Sequence, residues 1–475
     1  MENNRVVQAT GILAVLLSGM IAILSLEPDH VQWFFFFIWL WVVLIACLFF
    51  KHFVSSSQLL RSTMYLLIGS TFLNQSLMSI HSGFFSIFIY RLLLIAAGLI
   101  FILHAVHKKG LADEWNQIHV KGVLLFLICW IAYGSISLLW SQSIIDGIKY
   151  LFLLSIGIAF VFLSVFAFTK INRLYLFYVI WMMMTIVLLA IGLLNHFAKV
   201  QLPTSTLYGG PAYKLAYPTA VFTNQNDFAT FLTISFFFYL SAARNRRENL
   251  LKLASIALAG LSVYIVFLTE SRASLIGIVL GTAVYLFILL PSRMKRAGTV
   301  AGIILLAGSL IAFGGRIAGK ITAAYSGNQP MTSNVIRSHL LLNTIHYVAD
   351  TFGFGVGAGN LPYYLKNEPI YDTRQIDEVH NWLAEILGNF GLLIVLGYIT
   401  MYLFLFISLY RAWRLHTGRE QKTLIEALVT ALVAFLVSSI SPSSVSNLYF
   451  HWVFLGLVIA TVSVLRSERA VRDQL

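Results

Sequence analysis

Apolar runs about twenty residues long recur from one end of this chain to the other, and that repetition constrains its fold more than any motif does. A helix needs roughly 20 apolar residues to cross about 30 Å of hydrocarbon. Runs near that length stand at 7–26, 31–50, 62–80, 86–106, 120–140, 148–168, 172–194, 227–243, 250–268, 272–290, 297–314, 384–410, 423–441 and 447–465. About fourteen spans of this kind predict an all-α polytopic membrane protein. Composition agrees, at 59% hydrophobic and 11% charged, well outside the range of soluble domains.

Lysine and arginine set the orientation, because short cytoplasmic loops collect them. Arg5, Lys51 and Arg61, Lys108, Lys109 and Lys121, Lys170 and Arg173, Arg244 to Lys252, Arg293 to Arg296, Arg411 to Lys422, and Arg466 to Arg472 alternate with connections that carry almost none. Those connections are "EPDH", "HSGFF", "SPSSVS" and "SQSIIDGIK", the last with Lys149 only. The alternation predicts cytoplasmic N and C termini and an even number of spans. The net charge of +13 is therefore mainly an orientation signal. Its scatter over separate loops argues against nucleic-acid binding. The first run is expected to remain as a helix: no small-residue cleavage site follows "ILSLEPDH", and a second run comes directly after. Cys47 and Cys129 both lie within runs and suggest neither a disulfide framework nor a thiolate metal site.

No internal repeat of the kind that marks many transporters is visible. The chain divides instead into N-terminal spans over 1–194, a core over 195–410 that includes a large outer loop at 315–383, and C-terminal spans with a tail over 411–475. A first outer connection, about 195–226, is rich in Tyr, Pro, Gly and Thr and reads as ordered loop. The large loop is the one segment long enough for a small extracytoplasmic subdomain. Within it "SNVIRSHLLLNTIHYVAD" predicts an amphipathic helix from Ser333 or Asn334, with Ile336, Leu340 and Tyr347 on one side. "TFGFGVGAGN" follows, with glycine at 353, 355, 357 and 359. That is not a dinucleotide fingerprint; it is a compact turn where backbone can approach a partner closely.

Four outer-side features carry the polar chemistry, each with a plainer alternative. Arg272, in "ESRAS", would ordinarily be a snorkelling anchor, but its turn is outside and tight, which predicts burial among helices with Glu270 as an ion-pair partner. Arg337 lies on the loop helix two residues before His339, where a lone arginine is most often solvated. His380 closes the loop, with Asn381 and Glu385 at i, i+4 on the entering helix. Histidine suits proton acceptance near neutral pH, while a helix-start acid such as Glu385 more often partners an arginine. In "VFTNQNDFATFL", Asn224, Asn226 and Asp227 open the eighth span; the plain reading is N-capping and the functional one is amide donors facing an anionic or polyhydroxyl ligand. Together they predict an outer cavity in which paired arginines hold phosphate and His380 acts on a hydroxyl. That combination suits transfer of a group from a lipid pyrophosphate to an alcohol. Tyr208, Tyr213 and Tyr217 are candidates to stack on sugar rings.

The order "FTNQNDFA", "ESRAS", "NVIRSHLLLNTIHYVADTFGFGVGAGN" and "HNWLAEILGNFGLLIVL" resembles the O-antigen ligase and O-antigen polymerase family over roughly residues 200–400. The resemblance implies a bacterial cytoplasmic-membrane enzyme handling undecaprenyl-pyrophosphate-linked glycans at the outer face. It implies that Arg272 and Arg337 hold the lipid pyrophosphate and that His380 acts on the acceptor hydroxyl, with Asn224, Asn226, Asn381, Glu385 and Tyr217 positioning substrate. The span count is more like the polymerases of capsule or teichuronic acid pathways than the ligases. The implied activity is inverting glycosyl transfer that polymerises repeat units, without nucleotide sugars, cofactor or metal. The chain has no D-x-D motif, and Asp372, Asp377 and Glu378 lie in one run. A lipid-linked donor and acceptor, the bilayer, and a flippase and chain-length regulator of the same pathway are the implied partners. The alternatives are a ligase, a lipid-linked oligosaccharide flippase or transporter, and a non-catalytic assembly partner. A transporter should carry ionisable groups near mid-membrane; the clearest case, Arg91, stands near the outer boundary.

Overall fold

The structure, a computed structural model, describes residues 55–72, 80–82, 85–107, 111–291, 293–300, 332–415, 418–446 and 448–472, with four isolated positions besides. The spans expected at 7–26 and 31–50, most of 297–314, and Cys47 lie outside the described residues.

The chain runs α1 (Ser56–Ser70), a hairpin of β1 (Ile80–Ser82) and β2 (Phe85–Ile87), α2 (Ile89–His107), α3 (Leu111–Asn116), α4 (Lys121–Ser137), α5 (Ile144–Ala167) and α6 (Ile171–Ala198). It continues through α7 (Gln225–Asn245), α8 (Asn249–Leu268), α9 (Arg272–Leu289), α10 (Ser333–Asp350), α11 (Leu361–Asn367), α12 (Trp382–Leu415), α13 (Arg419–Ser438) and α14 (Tyr449–Arg472). The hairpin pairs Ile80 with Ile87 in antiparallel register. Among the described residues, nine helices are long and apolar enough to cross a membrane: α2, α4, α5, α6, α8, α9, α12, α13 and α14. Helix is the expected form, since backbone in hydrocarbon must satisfy its own hydrogen bonds.

Two further expected spans are not among the nine. Over 62–80, helix α1 ends at Ser70, the Ser70 and Thr71 hydroxyls bond back to the Leu67 carbonyl at 2.9 and 3.1 Å and Phe72 packs against Trp181, Phe222 and Phe231, while 73–79 lie outside the described residues. Its 15 residues rise only about 22 Å. Over 227–243, α7 is full length but is not one of the nine helices that qualify by hydropathy. Its side chains from Asp227 to Ser235 are all buried, and it packs most extensively on α8 and α13. Its polar groups are used internally: Ser235 accepts from Trp181 Nε1 at 2.9 Å, and Ser241 donates to the Thr423 carbonyl at 2.8 Å. A helix enclosed by protein need not be apolar enough for lipid.

Connections of like composition meet at the two ends of the helices. At one end Arg244 pairs with Glu426, which also accepts from Asn245 at 2.8 Å and Trp413 at 3.1 Å. At the other end the connections poor in Lys and Arg meet. The Ser143 amide donates to Asn360 at 2.7 Å, the Trp382 amide to the Ser439 carbonyl at 3.2 Å, and the Ser441 hydroxyl to Asn226 at 2.8 Å.

The loop subdomain has a core of its own, Leu340, Tyr347, Val356, Leu361, Leu365, Val379 and Ala384, with Ile336 packed against it. Helix α10 thus buries the side expected of it. Asn343 clamps the far side of the loop, accepting from the Ile370 and Tyr371 amides at 2.9 Å and donating to the Tyr371 carbonyl at 2.9 Å. The glycine-rich turn docks into a break in α12 at Gly391 (φ +75°, ψ −170°). There the Val356 and Gly357 amides take the Gly388 and Asn389 carbonyls at 2.8 and 3.0 Å, and the Leu392 amide returns to the Gly353 carbonyl at 2.8 Å. A Cβ on Gly355 would stand 2.6 Å from the Gly391 nitrogen. The partner that these glycines approach is therefore the chain's own helix.

Candidate functional site

Three helix N-termini, from α7, α9 and α10, converge beside the loop core on a cleft of about 330 Å³. Asn226 lines it from α7, Ser271 and Arg272 from α9, Thr332, Ser333, Asn334 and Arg337 from α10, and Glu270 and Ser441 from the adjoining turns. Helix N-termini present unpaired amides and positive dipole ends, which favour an anion. Arg272 and Arg337 add two full charges. Burial and the neighbouring Arg272 push the Arg337 guanidinium below its usual range, so the two cations are close enough to repel. Among the described residues neither has a carboxylate within ion-pairing distance. A bidentate oxyanion would relieve that repulsion.

Arg272 differs from expectation. Its side chain is exposed and lies in the cleft, and no ion pair joins it to Glu270 among the described residues. The reason lies in the turn: Glu270 takes a left-handed φ of +58°, and its carboxylate lies against Tyr217. That carboxylate holds the Tyr217 hydroxyl above its usual range.

His380 does not line the cleft itself; it stands behind it, against the backbone of Ser441 and Pro442 and near enough to Arg337 to feel its charge. It too is left-handed, at φ +50°, a conformation that costs a residue with a Cβ about 1–2 kcal/mol and is kept where surroundings over-determine it. Burial first, and then Arg337, lower its pKa below the usual 6.5, while Glu378 and the Ser441 and Pro442 backbone pull the other way. The shift favours the neutral imidazole. Its Nδ1 is buried with no hydrogen-bond partner among the described residues.

The other predicted residues separate. Asn226 reaches the cleft, held by the Ser441 hydroxyl. Asn224 is the N-cap of α7 and accepts from the Asn226 and Asp227 amides at 2.9 and 3.0 Å. Asn381 caps α12, accepting from the Ala384 amide at 3.2 Å. Glu385 turns away from the arginines. Only 5% exposed, it accepts from the Tyr150 hydroxyl at 2.9 Å, the Ser444 hydroxyl at 2.8 Å and the Val445 amide at 3.1 Å. It fastens α5 and the 441–446 turn to the head of α12. Tyr208 and Tyr213 are largely exposed. His339 is buried, with Nδ1 2.7 Å from the Asp372 carbonyl.

Sequence reading missed Ser441. It lines the cleft, its hydroxyl meets both Asn226 and Ser271 at 2.8 and 3.2 Å, and its backbone stands against His380. The signal was present in "SPSSVS", a serine run with proline in a turn free of Lys and Arg.

A family model described as O-antigen ligase matches residues 257–399, which include Arg272, Arg337 and His380 but not Asn224, Asn226 or Tyr217. The chain is also 48% identical over 431 residues to the teichuronic acid biosynthesis protein TuaE of Bacillus subtilis (strain 168), covering 89% of this chain and 88% of that protein.

Proposed function

The chain belongs to the O-antigen ligase/polymerase-like family of membrane proteins, and on that premise we propose that it is a glycosyltransferase of cell-surface polysaccharide synthesis. It acts at the outer face of a bacterial cytoplasmic membrane. Its donor is a glycan repeat unit on undecaprenyl pyrophosphate, and its acceptor is a sugar hydroxyl on a second lipid-linked chain. The product is a polymer of the teichuronic acid or capsule type. A flippase supplies the repeat unit, and a chain-length regulator works on the product.

The observation that carries this reading is the convergence of Arg272 and Arg337, with three helix N-termini, on one cleft beside His380, whose surroundings favour the neutral imidazole. In the proposed step His380 takes the proton of the acceptor hydroxyl. The acceptor oxygen attacks the anomeric carbon from the face opposite the pyrophosphate. The C1–O bond to pyrophosphate breaks, its electron pair leaves with the lipid pyrophosphate, and the anomeric configuration inverts. Arg272, Arg337 and the cleft amides neutralise the charge that gathers on the leaving group. Asn226 and Ser441 hold the cleft wall, and Tyr217 keeps Glu270 beside it.

The test is purified protein mixed with lipid-pyrophosphate-linked repeat unit, with and without EDTA, resolved on a gel. A ladder of polymer with release of free lipid pyrophosphate, unchanged by EDTA, is expected. Intact repeat unit after long incubation would overturn the reading, as would transfer only to a non-glycan acceptor.

A further inference from the structure

Asn226 and Asp227 are neighbours on α7, yet they line different cavities, since successive helical residues point about 100° apart. The cavity at Asp227 measures about 440 Å³, within the range of small-molecule sites. Phe72, Phe222 and Phe450 form an apolar wall whose rings pack edge-on, with centroids 6.2 and 5.5 Å apart. Arg91, Thr204 and Asp227 supply the polar groups. Arg91 donates to the Tyr449 hydroxyl from both Nε and Nη2, at 3.2 and 3.1 Å.

On two of those polar groups a buried oxygen is left over, although Asn224 bonds to the Asp227 carboxylate. Asp227 is 4% exposed and Thr204 is 6% exposed, and Asp227 Oδ1 and the Thr204 hydroxyl have no hydrogen-bond partner among the described residues. Buried polar atoms are ordinarily satisfied, so two unpaired oxygens on one cavity mark where a ligand would bring hydrogen-bond donors. A carboxylate oxygen and a hydroxyl facing an aromatic wall match a pyranose ring, whose hydroxyls donate and whose C–H face packs on aromatic carbon. The place also fits. Glu378 lies near enough to act electrostatically on both Asp227 and His380.

We propose that this cavity is a carbohydrate subsite that seats a pyranose ring of the acceptor chain, with Asp227 and Thr204 taking hydrogen bonds from its hydroxyls. The assignment to the acceptor rests on the transfer reaction proposed above; the sugar-binding cavity does not depend on it.

Saturation-transfer NMR on the full chain in detergent tests binding, with free N-acetylhexosamine, hexuronic acid and hexose as separate probes. The variants are Asp227→Asn and the nearly isosteric Thr204→Val, each checked for an unchanged melting transition. At least one sugar is expected to give a signal that falls severalfold in both variants and persists in Arg272→Ala/Arg337→Ala. In the polymerisation assay the same two variants should raise the acceptor KM about tenfold, the scale of one or two lost hydrogen bonds, with kcat little changed. No signal from any sugar, or equal signals in wild type and both variants, would overturn the subsite. If sugars bind as expected but no polymer forms, the transfer reading fails and the subsite stands. If polymer forms with unchanged acceptor KM in both variants, the subsite fails and the transfer reading stands.

Discussion

His380 and Glu385 are one helical turn and a loop residue apart in the chain, yet they belong to regions of opposite character. The cleft beside His380 gathers two arginines and three helix N-termini, with Glu270 at its edge, and the buried His380 Nδ1 next to it has no hydrogen-bond partner among the described residues. The knot at Glu385 is a buried carboxylate with donors from α5 and the 441–446 turn on both oxygens. A satisfied buried charge holds elements together, and removing it leaves its partners unpaired. Convergent cations that no carboxylate pairs among the described residues are poorly placed for stability and well placed for an anionic ligand. Proximity in sequence therefore says little about which role a polar residue plays; the completeness of its partners says more.

The largest effect expected from breaking this contrast is on activity alone. Arg337→Ala or His380→Ala should lower polymerisation at least about 10²-fold while the membrane-inserted protein melts as before, with single repeat units accumulating on the carrier. Normal chain-length ladders from both variants would dissolve the distinction.

Glu385→Ala should do the reverse. Stranding the Tyr150 hydroxyl, the Ser444 hydroxyl and the Val445 amide should cost about 2–5 kcal/mol, read as a lower midpoint in thermal or denaturant unfolding, while the fraction that stays folded keeps its turnover. Glu385→Gln, which retains the shape and one acceptor, should recover part of the loss. A stable Glu385→Ala protein that makes no polymer would move Glu385 into the site.

The pH profile sharpens the contrast further. A base works only when neutral, and the folded pKa of His380 lies below 6.5, so kcat/KM should fall on the acid side only as pH drops through that lowered value. Arg337 is one of the groups that lowers it. The residual rate of Arg337→Ala should therefore show its acid limb displaced to higher pH. An unmoved or lower limb would mean that His380 does not titrate in the rate. The smallest effect belongs to Asn224. As an N-cap it should cost about 1 kcal/mol on replacement by alanine, with little change in turnover; a large drop in rate at unchanged stability would bring Asn224 back among the substrate contacts.

Much of the architecture was legible in the sequence because lipid imposes a local rule. A run of apolar residues and the lysines and arginines beside it report on solvent one segment at a time, which is why α2, α4, α5, α6, α8 and α9 fall where periodicity puts them. The same rule underrated α7, because it counts side chains against lipid and α7 meets other helices. In the 18-residue apolar window of Tyr449–Ala470, 89% of residues are buried, against 28% in that of Asn249–Leu268; hydropathy is lower in the former, and only packing explains why. Arg337 and His380 stood out by residue type in a long connection, whereas Ser441 did not, since its part in the cleft comes from contacts with Asn226, Ser271 and His380.

By itself, the sequence determined that the chain is a helical membrane protein of this family, that its lysine-poor turns share one side, and that a loop with its own amphipathic helix stands there. Tertiary structure alone decided that Arg272 is open and free of Glu270, that the glycines press against a break in α12, and that Glu385 is a fastening. Span, charge and helix periodicity are properties of a few neighbouring residues. The pairing of a charge depends on segments far apart in the chain, and those meet only once the helices have packed.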